Sequence, residues 1–255
     1  MPKVDPPKKP WNWRLWVRCA MWAVVCAGVA WGSVEVRSFL NADSRFALTR
    51  IEVQGAVYAQ PDRIRAVFAK DMNSSIFAIP LVERRRHLLA VDWVQTASVT
   101  RIWPDRLIVK VTERRPVAFA RMPTAGSTRL WLTLIDADGV LLSIPPKVRC
   151  RLPVMSGVTE EQTEQQRRDR VEAVNHLLAD LGPQARDISE VNAANLQEMK
   201  VIADVQGRGY ELWLGDQHFR SRYANFISHF SDIRRHSENA SVFDLRDDDR
   251  ILAKQ

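Results

Sequence analysis

Three patterns of apolar and polar residues follow one another along the chain. The first is an uninterrupted apolar run, CAMWAVVCAGVAWGSV at residues 19–34, which carries no charge. Between residues 46 and 115, short stretches either alternate apolar with polar residues or repeat apolar residues at helical spacing. The remainder, to residue 255, continues with longer elements of both kinds. These patterns predict one apolar helix followed by α+β domains whose elements each bury one face.

The middle segment predicts the element order β-α-α-β-β. Residues 51–53 alternate with polar neighbours up to Gly55, which indicates a strand that ends at a position of unusual φ. Helical spacing predicts short helices over about residues 61–70 and 81–90. Two strands then flank Trp103–Pro104–Asp105, a turn sequence, and predict a hairpin whose corner packs Trp103 on the core.

The last segment predicts an antiparallel sheet with flanking helices. One helix is expected over residues 159–181, begun by a capping box of Thr159 and Gln162, and another over 217–236. Strands are predicted within 118–142 and near 187–192, 199–205, 210–214, 242–245 and 251–254. We expect the final strand to lie at an edge of the sheet, where an exposed strand can accept another chain.

The charged residues beside the apolar run indicate how it would be oriented in a membrane. Its N-terminal flank holds a single acidic residue, Asp5, and a basic set that consists of Lys3, Lys8, Lys9, Arg14 and Arg18. Basic residues flank the cytoplasmic side of membrane helices, and tryptophan, which is concentrated in the same flank, favours membrane interfaces. A buried core helix and a cleaved signal peptide are the alternatives. We therefore expect a cytoplasmic tail at 1–18, a transmembrane helix at 19–36, a linker at 37–45 and an exported remainder.

No catalytic constellation is visible in the sequence. It contains no G-x-S-x-G, S-x-x-K or H-E-x-x-H motif and no glycine-rich phosphate loop. The acidic residues at 244 and 247–249 lack the spacing of a calcium loop. The net charge of +7 fits nucleic acid or an anionic membrane surface equally well. An exported domain meets no nucleic acid, so we expect no nucleic-acid partner. Because the sequence shows no catalytic, phosphate-binding or calcium-binding motif, we also expect no enzyme activity, cofactor, metal or small-molecule substrate.

Several short motifs of the exported part resemble one known family. FALTRIEVQG (46–55) is similar to the first strand of a POTRA domain, and DWVQTASVTRIWPDRLIVKVTERRP (92–116) resembles the FtsQ family of bacterial cell-division proteins, called DivIB in Gram-positive bacteria. The motifs LIDADG, RLPVMSG, ELWLG and FDLR follow in the order expected for that family. Each motif is short, but the ordered set together with the anchor is specific.

The resemblance implies a bitopic inner-membrane protein of the division septum. Its N-terminus is expected in the cytoplasm, with a POTRA domain at 46–115 and an FtsQ-type β domain at 116–255 in the periplasm. The resemblance implies recruitment and regulation of septal cell-wall synthesis through the FtsB–FtsL pair, with FtsW and FtsI as further division partners. The alternative is a POTRA-bearing secretion or outer-membrane assembly factor, which normally carries POTRA repeats or barrel strands.

The resemblance also implies a partner-binding site near the C-terminus. In the family, FtsB adds a strand beside the C-terminal strand, and the arginine of the DLR motif pairs with an acidic partner residue. That arginine is Arg246 here, and the strand that leads to it contains Phe243, Asp244 and Leu245. Asp247 stands where the family pattern has an aromatic residue, so we expect a more basic partner surface there. Lys200 is the nearest match to a second basic contact. The alternative for Arg246 is an ion pair with a neighbouring aspartate.

Overall fold

A computed structural model describes residues 13–123, 130–146, 151–236, 239–247 and 250–254. The chain forms two compact units. The first contains residues up to 91 together with 96–112, and the second contains 92–95 together with residues from 113 onward.

The apolar run lies in one long helix, α1 (Trp13–Ala42). Its segment Trp16–Ala42 has 27 residues and contains an 18-residue window with a mean hydropathy of 1.6, none of which is buried. At 1.5 Å per residue this segment is about 40 Å long, which exceeds the ~30 Å thickness of a bilayer's hydrocarbon core. By length and composition α1 is therefore a candidate membrane span. It continues past residue 36 through much of the segment that was expected to be a linker.

The predicted β-α-α-β-β order of the first unit is confirmed. Its elements are β1 (Arg50–Gln54), α2 (Pro61–Ala66), α3 (Leu81–Leu89), β2 (Val94–Ile102) and β3 (Arg106–Glu113). The strands lie in the order β1-β3-β2, and β1 runs parallel to β3. Parallel pairing requires a crossover connection, which α2 and α3 supply. The core of the unit contains Leu48, Ile64, Phe68, Leu88, Leu107 and Val109.

The corner of the β2–β3 hairpin differs from the prediction. Trp103 does not pack on the core, because 64% of its surface is exposed. Its ring instead meets the rings of Phe46 and Phe77 edge-on, at centroid distances of 6.0 and 5.2 Å. The turn sequence identified the corner correctly, but a turn that extends beyond its sheet leaves its side chains outside the core.

Among the described residues, the second unit contains one nine-stranded sheet and two α-helices. The strands are β4 (Pro116–Pro123), β5 (Leu130–Asp136), β6 (Leu141–Leu142), β7 (Val154–Ser156), β8 (Ile188–Asn192), β9 (Met199–Val205), β10 (Arg208–Gly215), β11 (Val242–Asp244) and β12 (Leu252–Lys254). The helices are α4 (Glu164–Leu181) and α5 (Phe219–His236). The sheet order is β12-β11-β10-β9-β8-β7-β4-β5-β6. The predicted N-terminal apolar helix, β-α-α-β-β order and C-terminal sheet domain are thus confirmed.

The sheet is mixed, although an antiparallel sheet was expected. The neighbours β4–β7, β7–β8 and β10–β11 run parallel. For the pairs β7–β8 and β10–β11 the physical reason is that α4 and α5 connect their strands, and a crossover helix returns the chain to the same end of the sheet. Strand β7 has three residues, too few for an alternating pattern to appear in the sequence.

Both helices cover one face of this sheet. The buried core contains Val171, Val174 and Leu177 from α4, Tyr223, Phe226 and Phe230 from α5, and Val201, Ala203 and Leu212 from the sheet. Alternate residues of β9 and β10 point the other way and are partly exposed. The outer face near the β12 end therefore displays side chains to solvent.

Helix α4 begins at Glu164, later than predicted. Two T-x-x-Q sequences follow each other, and the second one forms the capping box. The Gln166 N–H donates to Thr163 Oγ1 at 3.2 Å, and the Thr163 N–H donates to Gln166 Oε1 at 3.0 Å. In the first sequence the Thr159 N–H donates to Gln162 Oε1 at 3.2 Å, and the Gln162 amide donates to the Gly157 carbonyl, so this sequence forms a turn before the helix.

Gly55 provides a test of the first unit's packing. Its φ is +83°, and a Cβ at this position would overlap the carbonyl oxygen of Val111. Gly207 has a similar φ of +79° but no atom within 4 Å of such a Cβ. We expect Gly207→Ala to cost about 1 kcal/mol from backbone strain alone, and Gly55→Ala to cost about 3 kcal/mol or more. Both losses are measured by urea unfolding of the detergent-solubilised chain, monitored through the hydrogen exchange of backbone amides in β1 for Gly55→Ala and in β9 for Gly207→Ala. Equal losses would contradict the packing described.

Candidate partner-binding site

Strand β12 forms one edge of the nine-stranded sheet. Its residues Leu252–Lys254 pair antiparallel with Val242–Asp244 of β11, and no described strand lies on its other side. Strand β11 lies between β10 and β12, so both of its backbone edges are occupied. The backbone that is free to pair with another chain therefore belongs to β12 and not to the strand that contains Phe243 and Asp244.

Two of the residues expected at the partner site lie in the core. Phe243 and Leu245 are each 2% exposed. The ring of Phe243 packs against the rings of Phe226 and Tyr210, at centroid distances of 5.2 and 6.0 Å. These two side chains fix β11 on helix α5 and are not accessible to a partner.

The carboxylate of Asp244 joins the last two strands. It accepts hydrogen bonds from Nε and Nη2 of Arg246 at 2.9 and 2.7 Å and from the Arg246 N–H at 3.2 Å. Lys254 Nζ on β12 lies 3.1 Å from Asp244 Oδ2. The guanidinium of Arg246, followed by the ammonium of Lys254, holds the pKa of Asp244 well below its usual range. Asp244 is therefore an internal anchor and not a free acidic contact.

Arg246 is paired within the chain, as the alternative interpretation of the sequence predicted. Besides Asp244, it reaches Glu198, because Nη1 lies 2.5 Å from Glu198 Oε1. The hydrogen bonds to Asp244 raise the pKa of Arg246. The Asp244 side chain is 9% exposed, whereas that of Glu198 is 46% exposed. Of the two carboxylates that contact Arg246, Glu198 is therefore the more exposed.

Three cations surround the ring of Trp213 on the outer face of the sheet. Lys254 Nζ and Lys200 Nζ lie 3.2 and 3.8 Å from the ring centroid, and Arg246 Cζ lies 5.2 Å from it. We call Lys200, Trp213, Asp244, Arg246 and Lys254 the Trp213 cluster. Strand pairing builds it, because Trp213 stands opposite both Lys200 and Asp244. Cations over an aromatic face are attracted by the ring's quadrupole, which fixes the ring.

Sequence reasoning missed Trp213. The ELWLG motif was noted for its order along the chain and assigned no role at the site. The alternation of residues along this motif is the signal that could have identified it. Leu212 and Leu214 are fully buried, so Glu211 and Trp213 face the opposite side of the sheet. The indole N–H of Trp213 donates to Glu211 Oε1 at 2.7 Å, which orients the ring.

Asp247 lies at the far end of the site. It is exposed, and its carbonyl accepts the Arg250 N–H at 3.4 Å within the turn that leads to β12. Asp248 and Asp249 lie outside the described residues. Within the described ranges, no group of His, Cys, Asp or Glu side chains is placed to hold a metal ion.

Each side of the β12 edge offers a different chemistry. The outer side has the Trp213 cluster and Leu252, which is 56% exposed. On the helix side, an open groove is lined by the apolar residues Ile233, Ile251 and Ala253 and by polar residues of α5, Asn225, His229, Asp232 and His236, with the buried ring of Phe243 in its wall. An extended segment that paired with β12 would therefore place alternate side chains on the charged outer face and in a groove of mixed polar and apolar lining.

The order of apolar helix, β-α-α-β-β domain and sheet domain defines the class, a POTRA-bearing protein with a candidate membrane helix. A family model described as "POTRA domain, FtsQ-type" matches residues 46–114. The cell-division protein FtsQ of Koribacter versatilis is 33% identical over 208 residues, which cover 79% of this chain and 58% of that protein. FtsQ of Geobacter sp. is 24% identical over 98% of this chain and 93% of its own length. FtsQ of Shewanella oneidensis is 25% identical over 93% and 85%.

The chain belongs to the FtsQ family of cell-division proteins, as its motifs predicted. The aligned part covers a little over half of the Koribacter protein and most of the Geobacter and Shewanella proteins.

The Asp244 anchor predicts a dependence of stability on pH. Because its pKa is lower in the folded chain, its stabilisation is fully present above the unfolded-state pKa of about 4 and is lost as pH falls below that value. We expect Asp244→Asn to be about 2 kcal/mol less stable than the wild type at pH 7, with a difference that shrinks towards pH 3. Urea unfolding at a series of pH values measures this difference.

Asp232→Asn is the matched control. Asp232 pairs with Arg235 on the surface of α5, and both side chains are more than half exposed. Such a pair contributes less than about 0.5 kcal/mol at any pH. A difference between Asp244→Asn and the wild type that stayed constant from pH 7 to pH 3 would contradict the role given to Asp244.

Proposed function

We propose that this chain is a non-enzymatic scaffold of the bacterial division machinery, which recruits and regulates septal cell-wall synthesis by binding the FtsB–FtsL pair. The observation that carries the proposal is the free edge of β12 beside the Trp213 cluster. Membership of the FtsQ family supports the role in division. FtsW and FtsI are proposed as further partners of the same assembly.

Binding is proposed to occur by strand addition. A segment of FtsB pairs with the backbone of Leu252–Lys254 and extends the sheet by one strand. Its alternate side chains meet the outer face at Leu252 and Lys254 and enter the groove at Ala253 and Ile251. Backbone hydrogen bonds supply affinity, and the two chemically distinct sides select the sequence and register of the partner strand.

Arg246 is proposed to exchange one carboxylate for another when the partner binds. It keeps its buried contact with Asp244 and replaces the exposed Glu198 with an acidic residue of the partner. The exchange leaves the number of ion pairs unchanged, so its main effect is on specificity and register. Lys200 contributes through the Trp213 ring and not by direct contact.

The proposed topology is that of a type II single-pass protein of the inner membrane. The basic flank stays in the cytoplasm, α1 spans the membrane, and both folded units lie in the periplasm. This arrangement restricts the β12 edge to the layer above one membrane, where partners with their own membrane anchors reach a high effective concentration.

The edge is best tested at Leu252. Arg246→Glu would place a third carboxylate beside Asp244 and Glu198 and disturb the fold, so it does not isolate binding. Leu252 is exposed and stands opposite Asp244, so Leu252→Asp adds a carboxylate near Asp244 but keeps the two cations, Arg246 and Lys254, that hold it. We therefore expect a loss of stability of about 1 kcal/mol or less. We expect it to weaken FtsB–FtsL binding at least tenfold, measured by titration of the purified pair in detergent.

Leu130→Asp is the matched control. Leu130 has the same exposed fraction, 56%, and lies on β5, near the other end of the sheet order. The Leu130→Asp variant should bind the FtsB–FtsL pair as tightly as the wild type does. Equal loss from both variants, or undiminished binding by Leu252→Asp, would rule out the β12 edge as the partner site.

The division role has its own test in cells. Depletion of the chain should produce filaments without septa, because recruitment of septal synthesis fails. Expression of the wild type should restore division, whereas Leu252→Asp should restore it poorly at equal protein level, scored by cell length and by immunoblot. Normal septation after depletion would reject the role.

A further inference from the structure

An aromatic surface of the POTRA unit lies close to the end of the membrane helix. Phe46, Phe77 and Trp103 form a triad in which each ring meets the other two edge-on, at centroid distances of 5.4, 6.0 and 5.2 Å. Both Phe side chains are half-buried, and Trp103 is exposed at the hairpin corner. The core of the unit does not require an exposed indole at this corner, so the triad calls for another explanation.

The triad is joined to α1 with little slack. Phe46 follows the last residue of α1, Ala42, by four positions, which is at most about 14 Å of chain. The intervening residues form a 3₁₀ turn, Ser44–Phe46, capped by Asp43. The hydroxyl of Ser75 also donates to the carbonyl of Leu40, inside the helix, at 2.8 Å. The POTRA unit is therefore fastened to the helix end and not suspended on a free linker.

Hydrogen bonds also hold the three segments that carry the rings. The Ile76 N–H donates to the Phe46 carbonyl at 2.9 Å, and the Thr49 N–H donates to the Asp105 carbonyl at 3.0 Å. The guanidinium of Arg101 donates to the carbonyls of Ile76 and Ile79 at 2.6 and 2.8 Å. These hydrogen bonds within the chain thus hold the segments of Phe46, Phe77 and Trp103 together as one surface.

We propose that this triad inserts into the lipid headgroup layer on the far side of the membrane that α1 spans. The proposal rests on the membrane anchoring proposed above. A headgroup layer extends about 5–8 Å beyond the hydrocarbon core, within the reach of the short connection from Ala42. Indole rings favour this layer because they are apolar with one polar N–H.

The insertion sets the direction of the POTRA sheet. Strand β1 leads away from the triad for about 16 Å and ends at the turn that contains Val57, which is 78% exposed. One end of the three-stranded sheet therefore faces lipid and the other faces water. A domain held in this way presents its distal end to partners at a fixed height above the membrane.

Spin labels on the full-length chain in nanodiscs of phosphatidylethanolamine and phosphatidylglycerol test the proposal. The three natural cysteines are replaced by serine, and single cysteines are placed at Ala78, Val57 or Val25. Ala78 is exposed and adjoins Phe77, Val57 is at the distal end of the sheet, and Val25 is in α1. Collision rates with oxygen, which concentrates in lipid, and with a water-soluble nickel chelate report the depth of each label.

We expect an oxygen-dominated signal at Val25, a nickel-dominated signal at Val57, and at Ala78 a nickel collision rate several-fold lower than at Val57. Trp103→Ser should move the Ala78 value towards that of Val57. Equal values at Ala78 and Val57, an Ala78 value that Trp103→Ser leaves unchanged, or shielding of Ala78 from both reagents would overturn the insertion while α1 remains in lipid. A nickel-dominated signal at Val25 would instead reject the anchoring itself, and the insertion with it.

Discussion

The candidate site depends on one poorly solvated carboxylate. Asp244 binds the backbone and guanidinium of Arg246 and the ammonium of Lys254, and it thereby ties the turn after β11 to the edge strand β12. A three-residue strand has few backbone hydrogen bonds, so β12 needs this additional attachment to persist as an edge. A buried charge in turn needs such partners, because its desolvation is costly without them.

The sheet places this edge where another chain can reach it. Helices α4 and α5 cover one face and supply the crossovers that make β7–β8 and β10–β11 parallel. The other face stays partly exposed and carries the Trp213 cluster, in which pairing across β9, β10 and β11 brings together residues from distant parts of the sequence. The same arrangement separates the buried partner of Arg246, Asp244, from its exposed partner, Glu198. In the proposed binding mode, the same arginine thus serves stability through Asp244 and recognition through the position of Glu198.

Local patterns predicted the elements well and their neighbours poorly. Alternation and helical spacing located β1, α2, α3 and the hairpin, because each element buries one face of its own. The parallel pairs and the coverage of β11 by β12 depend on contacts between distant segments, which local periodicity does not contain. Arg246, Asp244 and Lys200 were identified in sequence and do meet in one cluster, but Phe243 and Leu245 proved to be core residues. Trp103 shows the opposite error, since an apolar residue at a turn was assigned to the core and is exposed.

The most direct test is hydrogen exchange of the full-length chain in nanodiscs, with and without the FtsB–FtsL pair. Strand addition at β12 predicts slower exchange at residues 252–254 when the pair is present, and unchanged exchange at residues 130–132 near the opposite end of the sheet order. Unchanged exchange at 252–254 under saturating partner, with protection appearing elsewhere in the chain, would contradict the central claim that β12 is the binding edge.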